Sequence, residues 1–244
     1  MPSAAAAAAS PSVEIQEVKD ILDDKNFNGI LKTANEVFDE AFALYNEPGF
    51  ESYKDWKKET ETDNSTIHTR QMPYGKLFAL RATIPWDYES VFHEQWNGLD
   101  TVATWNENIV FSSTLKKINE NIDIVHYANK DVLMVKSRDY VAVRKSEKIS
   151  DSYYLIARSI DFPDLPETKD RVRAIIHLGA GRYRQHPDNS MATQVDLMLS
   201  IDFGGYIPKS VINAVMGKLL IKDFEETRKH LKSLQESVEY GNNK

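Results

Sequence analysis

The chain has 244 residues and no cysteine. That excludes disulfides, thiolate metal sites and a cysteine nucleophile, and it suits a reducing compartment. No apolar run approaches the roughly 20 residues that span a bilayer. No basic block stands out, and the formal net charge is −7. Phosphate-driven nucleic-acid binding is therefore not expected. Acidic charge also disfavours constitutive attachment to an anionic membrane, which leaves transient membrane contact. The histidines His68, His93, His126, His177, His186 and His230 are scattered, with no HExxH spacing. There is no GxSxG elbow and no P-loop, and Gly179-Ala180-Gly181 is too short for a dinucleotide loop. No metal, cofactor or catalytic group is expected. Asp123, His126 and Tyr127 form the one local polar cluster that an enzyme could use.

What is present fits a single large domain or two small ones. Hydrophobic residues make up 41% of the chain, enough to bury a core and still enclose a cavity. The first stretch, Met1-Pro2-Ser3 followed by Ala4 to Ala9, is of low complexity, and residues 1–24 are expected to form a disordered tail. The alanine run is too short for a secretory signal, and no arginine precedes Arg70 as a mitochondrial presequence would need. A cytoplasmic monomer is expected.

Phe27, Ile30, Leu31, Ala34, Val37, Phe38, Ala41, Phe42 and Tyr45 recur at helical spacing, which predicts an amphipathic helix ended by Asn46-Glu47-Pro48-Gly49. Strand character follows at 56–59, 66–72 and 77–84, the last two flanking the turn Pro73-Tyr74-Gly75. Pro85-Trp86-Asp87 opens a second helix, closed by Asn97-Gly98. Further strands are expected at 111–118, 122–128, 140–145, 153–159, 172–178 and 195–201. A last helix enters at Pro208 and carries Ile212, Met216, Leu219, Leu220, Phe224, Leu231 and Leu234 to about Val238. The expected architecture is α+β. A curved antiparallel sheet, with an N-terminal helix, needs its concave face covered, and a long C-terminal helix with an apolar stripe can cover it and leave a cavity between.

Ser137-Arg138-Asp139-Tyr140-Val141-Ala142-Val143-Arg144 resembles the arginine-aspartate-aromatic motif of START (steroidogenic acute regulatory protein-related lipid transfer) domains. Ile156 to Ser159 with Pro163 and Pro166, Val172-Arg173-Ala174, and Ser200 to Asn213 are similar to later stretches of that family, in the same order. Trp105-Asn106 also fits. The similarity runs from about residue 27 to 236 and is closest to the sterol- and carotenoid-binding branch. It implies the helix-grip fold over residues 25–238, a lid helix over a lipid tunnel, and a short C-terminal tail at 239–244. It also implies intracellular lipid binding and transfer without catalysis. Sterol is the first choice of ligand, carotenoid or another isoprenoid the second, and phospholipid the third. A helix-grip enzyme on a hydrophobic substrate is the alternative from another class.

Arg144 alternates with Val141 and Val143 and so can face the interior, where an unpaired arginine costs several kcal/mol. The resemblance puts it on the tunnel wall, beside a ligand hydroxyl. An acid accompanies that arginine in the sterol branch, whereas this chain has Tyr127 at the matching position. Asp123, Asp131 and Asp196 remain candidates for its counter-charge. Asp196 shares a strand face with Gln194, Met198 and Ser200. Tyr140, Ala142, Met198, Ile212, Asn213, Met216 and Leu220 complete the expected ligand contacts. Arg138 and Asp139 read as an ion pair or turn contact, or Arg138 as a phosphate holder. Val132-Leu133-Met134-Val135, between Lys130 and Lys136, matches the family's tunnel gate.

Overall fold

The computed structural model describes residues 24–163 and 165–242. Apart from residue 24, the expected N-terminal tail lies outside them, as do residues 243–244.

Helix α1 (Asp24–Tyr45) forms where the apolar spacing predicts it, and it buries Phe27, Ile30, Ala34, Val37, Phe38, Ala41 and Tyr45. Three strands follow: β1 (Lys57–Glu61), β2 (Ser65–Met72) and β3 (Gly75–Ile84). Pro73 and Tyr74 turn β2 into β3, and Gly75 leaves the turn at φ 134°, a value that favours glycine. Helix α2 (Tyr88–Asn97) is capped by Asp87, whose carboxylate accepts from the Ser90 N–H at 2.9 Å. A 3₁₀ turn (Leu99–Thr101) and the short helix α3 (Val102–Trp105) lead into β4 (Ile109–Asn119). Then come β5 (Ile122–Asn129), β6 (Arg138–Ile149), β7 (Ser152–Ser159), β8 (Val172–Arg173), β9 (Ile175–His186) and β10 (Asn189–Asp202). Helix α4 (Lys209–Asn242) ends the described chain.

The strands form one ten-stranded sheet in the order β1-β2-β3-β10-β9-β7-β6-β5-β4. All these neighbours are antiparallel, and β8 alone pairs parallel, with β6. Helix α1 covers one face. There Val37, Phe38 and Ala41 pack on Leu77, Ala79, Ile156 and Met198, while Phe27, Ile30 and Ala34 pack on Ile124, Val141 and Val143. Helix α4 covers the opposite, inner face, where Val215, Met216, Leu219, Leu220, Phe224 and Leu231 meet Phe78, Leu80, Val195 and Tyr183. Alternation along each strand therefore sends one set of side chains to α1 and the other to α4.

Several strands run longer than the sequence expectation, β6 and β10 most of all, and two other differences change the architecture. The segment 172–178 is not one strand. β8 stops at Arg173, the Ala174 N–H bonds to the Asp139 carbonyl, and β9 then runs on through Gly179-Ala180-Gly181 to His186. Those glycines stay extended because β7 and β10 pair with them on both sides. Helix α4 also passes Val238 and reaches Asn242, since no glycine or proline interrupts it between Gly217 and Gly241. Residues 239–242 are thus helical. No helix among the described residues is long and apolar enough to cross a membrane.

Candidate functional site

The sheet's inner face holds a cavity of about 280 Å³ beneath α4. Its floor is made of small residues. Ala142, Ala157, Gly179 and Gly181 line it, and Leu197, Leu199, Val125 and Leu155 form the apolar flanks. Gly179 sits opposite Ala157 on one side and Leu199 on the other. Gly181 leaves room for an aromatic: a Cβ there would lie 2.8 Å from the Tyr183 hydroxyl and 2.9 Å from its ring. Sequence reasoning set the Gly-Ala-Gly run aside as too short for a dinucleotide loop. The missed signal was its period of two, which places both glycines on one strand face.

Arg144 closes one end of this cavity and is buried. Its counter-charge is Asp123, directly across the β5–β6 pair. Nε donates to Oδ1 at 2.9 Å and Nη2 to Oδ2 at 2.6 Å, a bidentate arrangement. Nη2 also donates to the Trp96 carbonyl at 3.1 Å, and the guanidinium lies 4.6 Å from the Trp96 ring centre. Nη1 has no hydrogen-bond partner among the described residues. Two fixed nitrogens and one spare make Arg144 a held donor at the end of an apolar chamber.

Tyr127 lines the cavity and stacks on Tyr140 with ring centres 4.9 Å apart. Burial, with the Asp223 charge second, pushes the Tyr127 phenol well up, so it stays a neutral hydrogen-bonding group. Tyr140 shares the inner face but lies behind it, its hydroxyl donating to Asn129 Oδ1 at 3.0 Å. Ala142 and Leu220 line the cavity. Ile212, Asn213 and Met216 do not. They line a second cavity of about 360 Å³ beside the first turns of α4, with Phe78, Ile201, His177 and Lys76.

Asp196 is a correction. Its face of β10 turns toward α1, where the carboxylate is fully buried among arginines. Arg81 Nε lies 2.5 Å from Oδ1 and Arg182 Nη2 2.7 Å from Oδ2, and the Tyr45 hydroxyl donates to the Asp196 carbonyl at 2.9 Å. Glu51 bridges Arg81, Arg182 and Arg184 from outside. These bonds tie the α1–β1 connection to the sheet. Met198 borders the cavity, but its side chain belongs to the cluster under α1. Strand alternation correctly groups Asp196 with Met198, but which face is the inner one depends on where the helices pack.

Asp131, the remaining acid, pairs with Lys136 at 3.1 Å on the surface. Arg138 and Asp139 do not pair with each other. Arg138 donates to the Phe203 carbonyl at 3.0 Å and the Lys136 carbonyl at 2.8 Å, whereas Asp139 holds Arg173 at 2.8 Å and His126 at 3.0 Å on the α1 side. Asp123, His126 and Tyr127 are thereby split: Tyr127 lines the cavity, Asp123 lies on the same sheet face but is bound to Arg144, and His126 faces away. Among the described residues, no group of three or more metal-ligating side chains comes together.

Val132 and Val135 bridge each other by two 2.9 Å hydrogen bonds and pack against the α4 cluster. Between them Leu133, at φ 54°, is 56% exposed and Met134 is 78% exposed. The segment is a tight turn with an apolar tip. The lid's far half has polar moorings that sequence reasoning missed. Asp223 accepts from Asn108 at 2.7 Å and Asn106 at 3.4 Å. His230 meets Glu94 at 2.9 Å and stacks on Trp105 at 4.2 Å. Each of these pairs joins residues more than a hundred positions apart, beyond any motif.

The START domain family profile matches residues 37–237. The chain is 34% identical over 230 residues to the "Steroidogenic acute regulatory-like protein 1" of Caenorhabditis elegans, covering 93% of this chain and 89% of that protein. It is 29% identical over 189 residues to the human "Steroidogenic acute regulatory protein, mitochondrial", covering 73% of this chain and 64% of that one. The fold is that of the human StAR-related lipid transfer protein 5, with a TM-score of 0.75 at 16% identity over 85% of this chain and 99% of that one. A curved sheet gripping a C-terminal helix, matched by profile and by relatives along most of its length, places this chain in the START domain family of lipid-transfer domains.

Proposed function

We propose that the protein carries one sterol-like lipid per chain, held by its hydroxyl at Arg144 and released unchanged. The observation that carries the reading is the unpartnered Nη1 of an arginine otherwise locked by Asp123 and Trp96, at the end of a cavity walled by alanine, glycine, valine and leucine. Burial of the apolar body drives binding at about 25 cal/mol per Å². The charged donor sets orientation, since a hydrogen bond to an ion contributes roughly 1.5–3 kcal/mol. A hydroxylated isoprenoid such as a carotenoid uses the same two features and ranks second. Phospholipid ranks below them, because Arg138 is buried with two of its nitrogens on backbone carbonyls. Catalysis is disfavoured by the separation of His126 from Asp123 and Tyr127. A monomer that exchanges cargo at membranes from the cytosol completes the reading. Sedimentation and cell fractionation test those two points.

The anchor is tested by comparing cholesterol with its hydroxyl-free counterpart cholestane. Asp123→Leu with Arg144→Met removes the ion pair as a unit. In that double variant the preference for cholesterol over cholestane should fall by about ten- to a hundredfold, as loss of one charged hydrogen bond implies. If both ligands weaken equally, Arg144 is not the anchor.

A further inference from the structure

The two cavities are lined by successive residues of β10 and of α4. On β10 the inner residues Leu197 and Leu199 line the central one, and the next inner residue, Ile201, lines the one at the mouth. On α4, Leu220 lines the central cavity, while Met216 and Ile212, one and two turns earlier, line the mouth. Paired residues form a continuous row across the sheet: Arg144, Ala157, Gly179, Leu199 and Phe78. Four strand spacings of about 4.8 Å put the Phe78 end roughly 19 Å from Arg144. The central cavity, at about 280 Å³, falls just under the roughly 300 Å³ at which small-molecule pockets begin. A lipid anchored at Arg144 therefore runs out of room at the boundary between the two.

The residues flanking that boundary are Leu199 and Leu220 on the central side and Ile201 and Met216 on the other. Leu199, Ile201 and Leu220 are branched. Met216 is unbranched, flexible and buried, and a thioether adapts to irregular space. We propose that the two cavities are halves of one channel and that Met216 is the partition between them, which swings aside and sets the length of lipid the protein accepts. The inference rests on the lipid-carrier reading but not on the ligand being a sterol. Beyond the partition the mouth offers His177, Asn213, Lys76 and Gln71, so a long ligand with a second oxygen at its far end suits the channel.

The test uses straight-chain primary alcohols of increasing length, titrated into the purified full chain by calorimetry. Each buried methylene should raise affinity about fourfold until the space is full. In the native protein affinity should climb past the length that fills the central cavity. In Met216→Trp it should level off several carbons earlier, with short alcohols bound as tightly as before. Met216→Phe serves if the tryptophan variant does not fold. The same plateau length in native and variant protein would overturn the partition. An equal loss at every length would make Met216 ordinary core and overturn it too. No saturable binding of any alcohol to the native protein would overturn the lipid-carrier reading itself, and the partition with it.

Discussion

Arg144 and Asp123 should be worth little as a pair and a great deal to each other. Both side chains are buried and joined by two charge-assisted hydrogen bonds, of 2.9 and 2.6 Å. Removing either partner leaves the other as an uncompensated buried charge, which costs about 3–5 kcal/mol. Arg144→Met also releases the Trp96 carbonyl and the contact with the Trp96 ring, so it falls toward the upper end. Replacing both, Asp123→Leu with Arg144→Met, removes two charges that had to be desolvated and puts apolar groups in their place, so the double variant should lie within about 1 kcal/mol of the native protein. The cycle should thus show a coupling of at least about 5 kcal/mol, well above the error of additivity for distant sites. Equilibrium urea unfolding followed by circular dichroism measures all four proteins, with an unchanged slope as the control on the denatured state. Two single variants that each cost under about 1 kcal/mol, or costs that simply add, would refute the reasoning and with it the picture of a locked arginine.

Other perturbations follow from the same contacts. Gly181→Ala places a methyl group against the Tyr183 ring and should cost about 1–3 kcal/mol, seen as a lower midpoint in thermal unfolding, while an unchanged midpoint would mean the ring has space to move. Burial raises the Asp223 carboxyl, against the opposing hydrogen bonds from Asn108 and Asn106. The folded state then binds its proton more tightly, so this group's stabilising contribution is complete below the unfolded value near 3.9 and is lost as pH rises through the raised folded value. Asp223→Asn should remove that part of the pH dependence, and an identical stability–pH profile in the variant would contradict the assignment. Leu133→Asp with Met134→Asp, at the exposed tip, should slow lipid transfer between vesicles several-fold and leave equilibrium binding unchanged. Equal slowing of transfer and loss of affinity would place the tip in the binding site instead.

Elements with strong local signals were legible in the sequence. The α1 stripe, the Asp87 cap, the Pro73-Tyr74-Gly75 turn and the lid helix entering at Pro208 each rest on spacing within a few residues. The interior orientation of Arg144 was legible too, because alternation with Val141 and Val143 fixes its face relative to theirs. What was not legible depends on register between distant strands. Asp123 meets Arg144 only because β5 and β6 pair in one register, and a shift of one residue would have turned the acid toward α1. Asp196 was misplaced for a related reason. In a sheet covered by helices on both faces, polarity does not say which side is the cavity, and a fully buried carboxylate can belong to an arginine cluster on the far side. The second half of β9 lay beyond the strand expected at 172–178, because glycines carry little strand signal, yet here its glycines line the floor and its arginines serve that far cluster.

The central claim, that the chain is a carrier with one lipid held inside it, is most directly tested by native mass spectrometry of the protein purified from its natural source, followed by organic extraction. The account predicts one unmodified, hydroxylated apolar lipid per chain, displaced by added sterol. A protein recovered empty that takes up no offered lipid, or one that returns a chemically altered product, would contradict it.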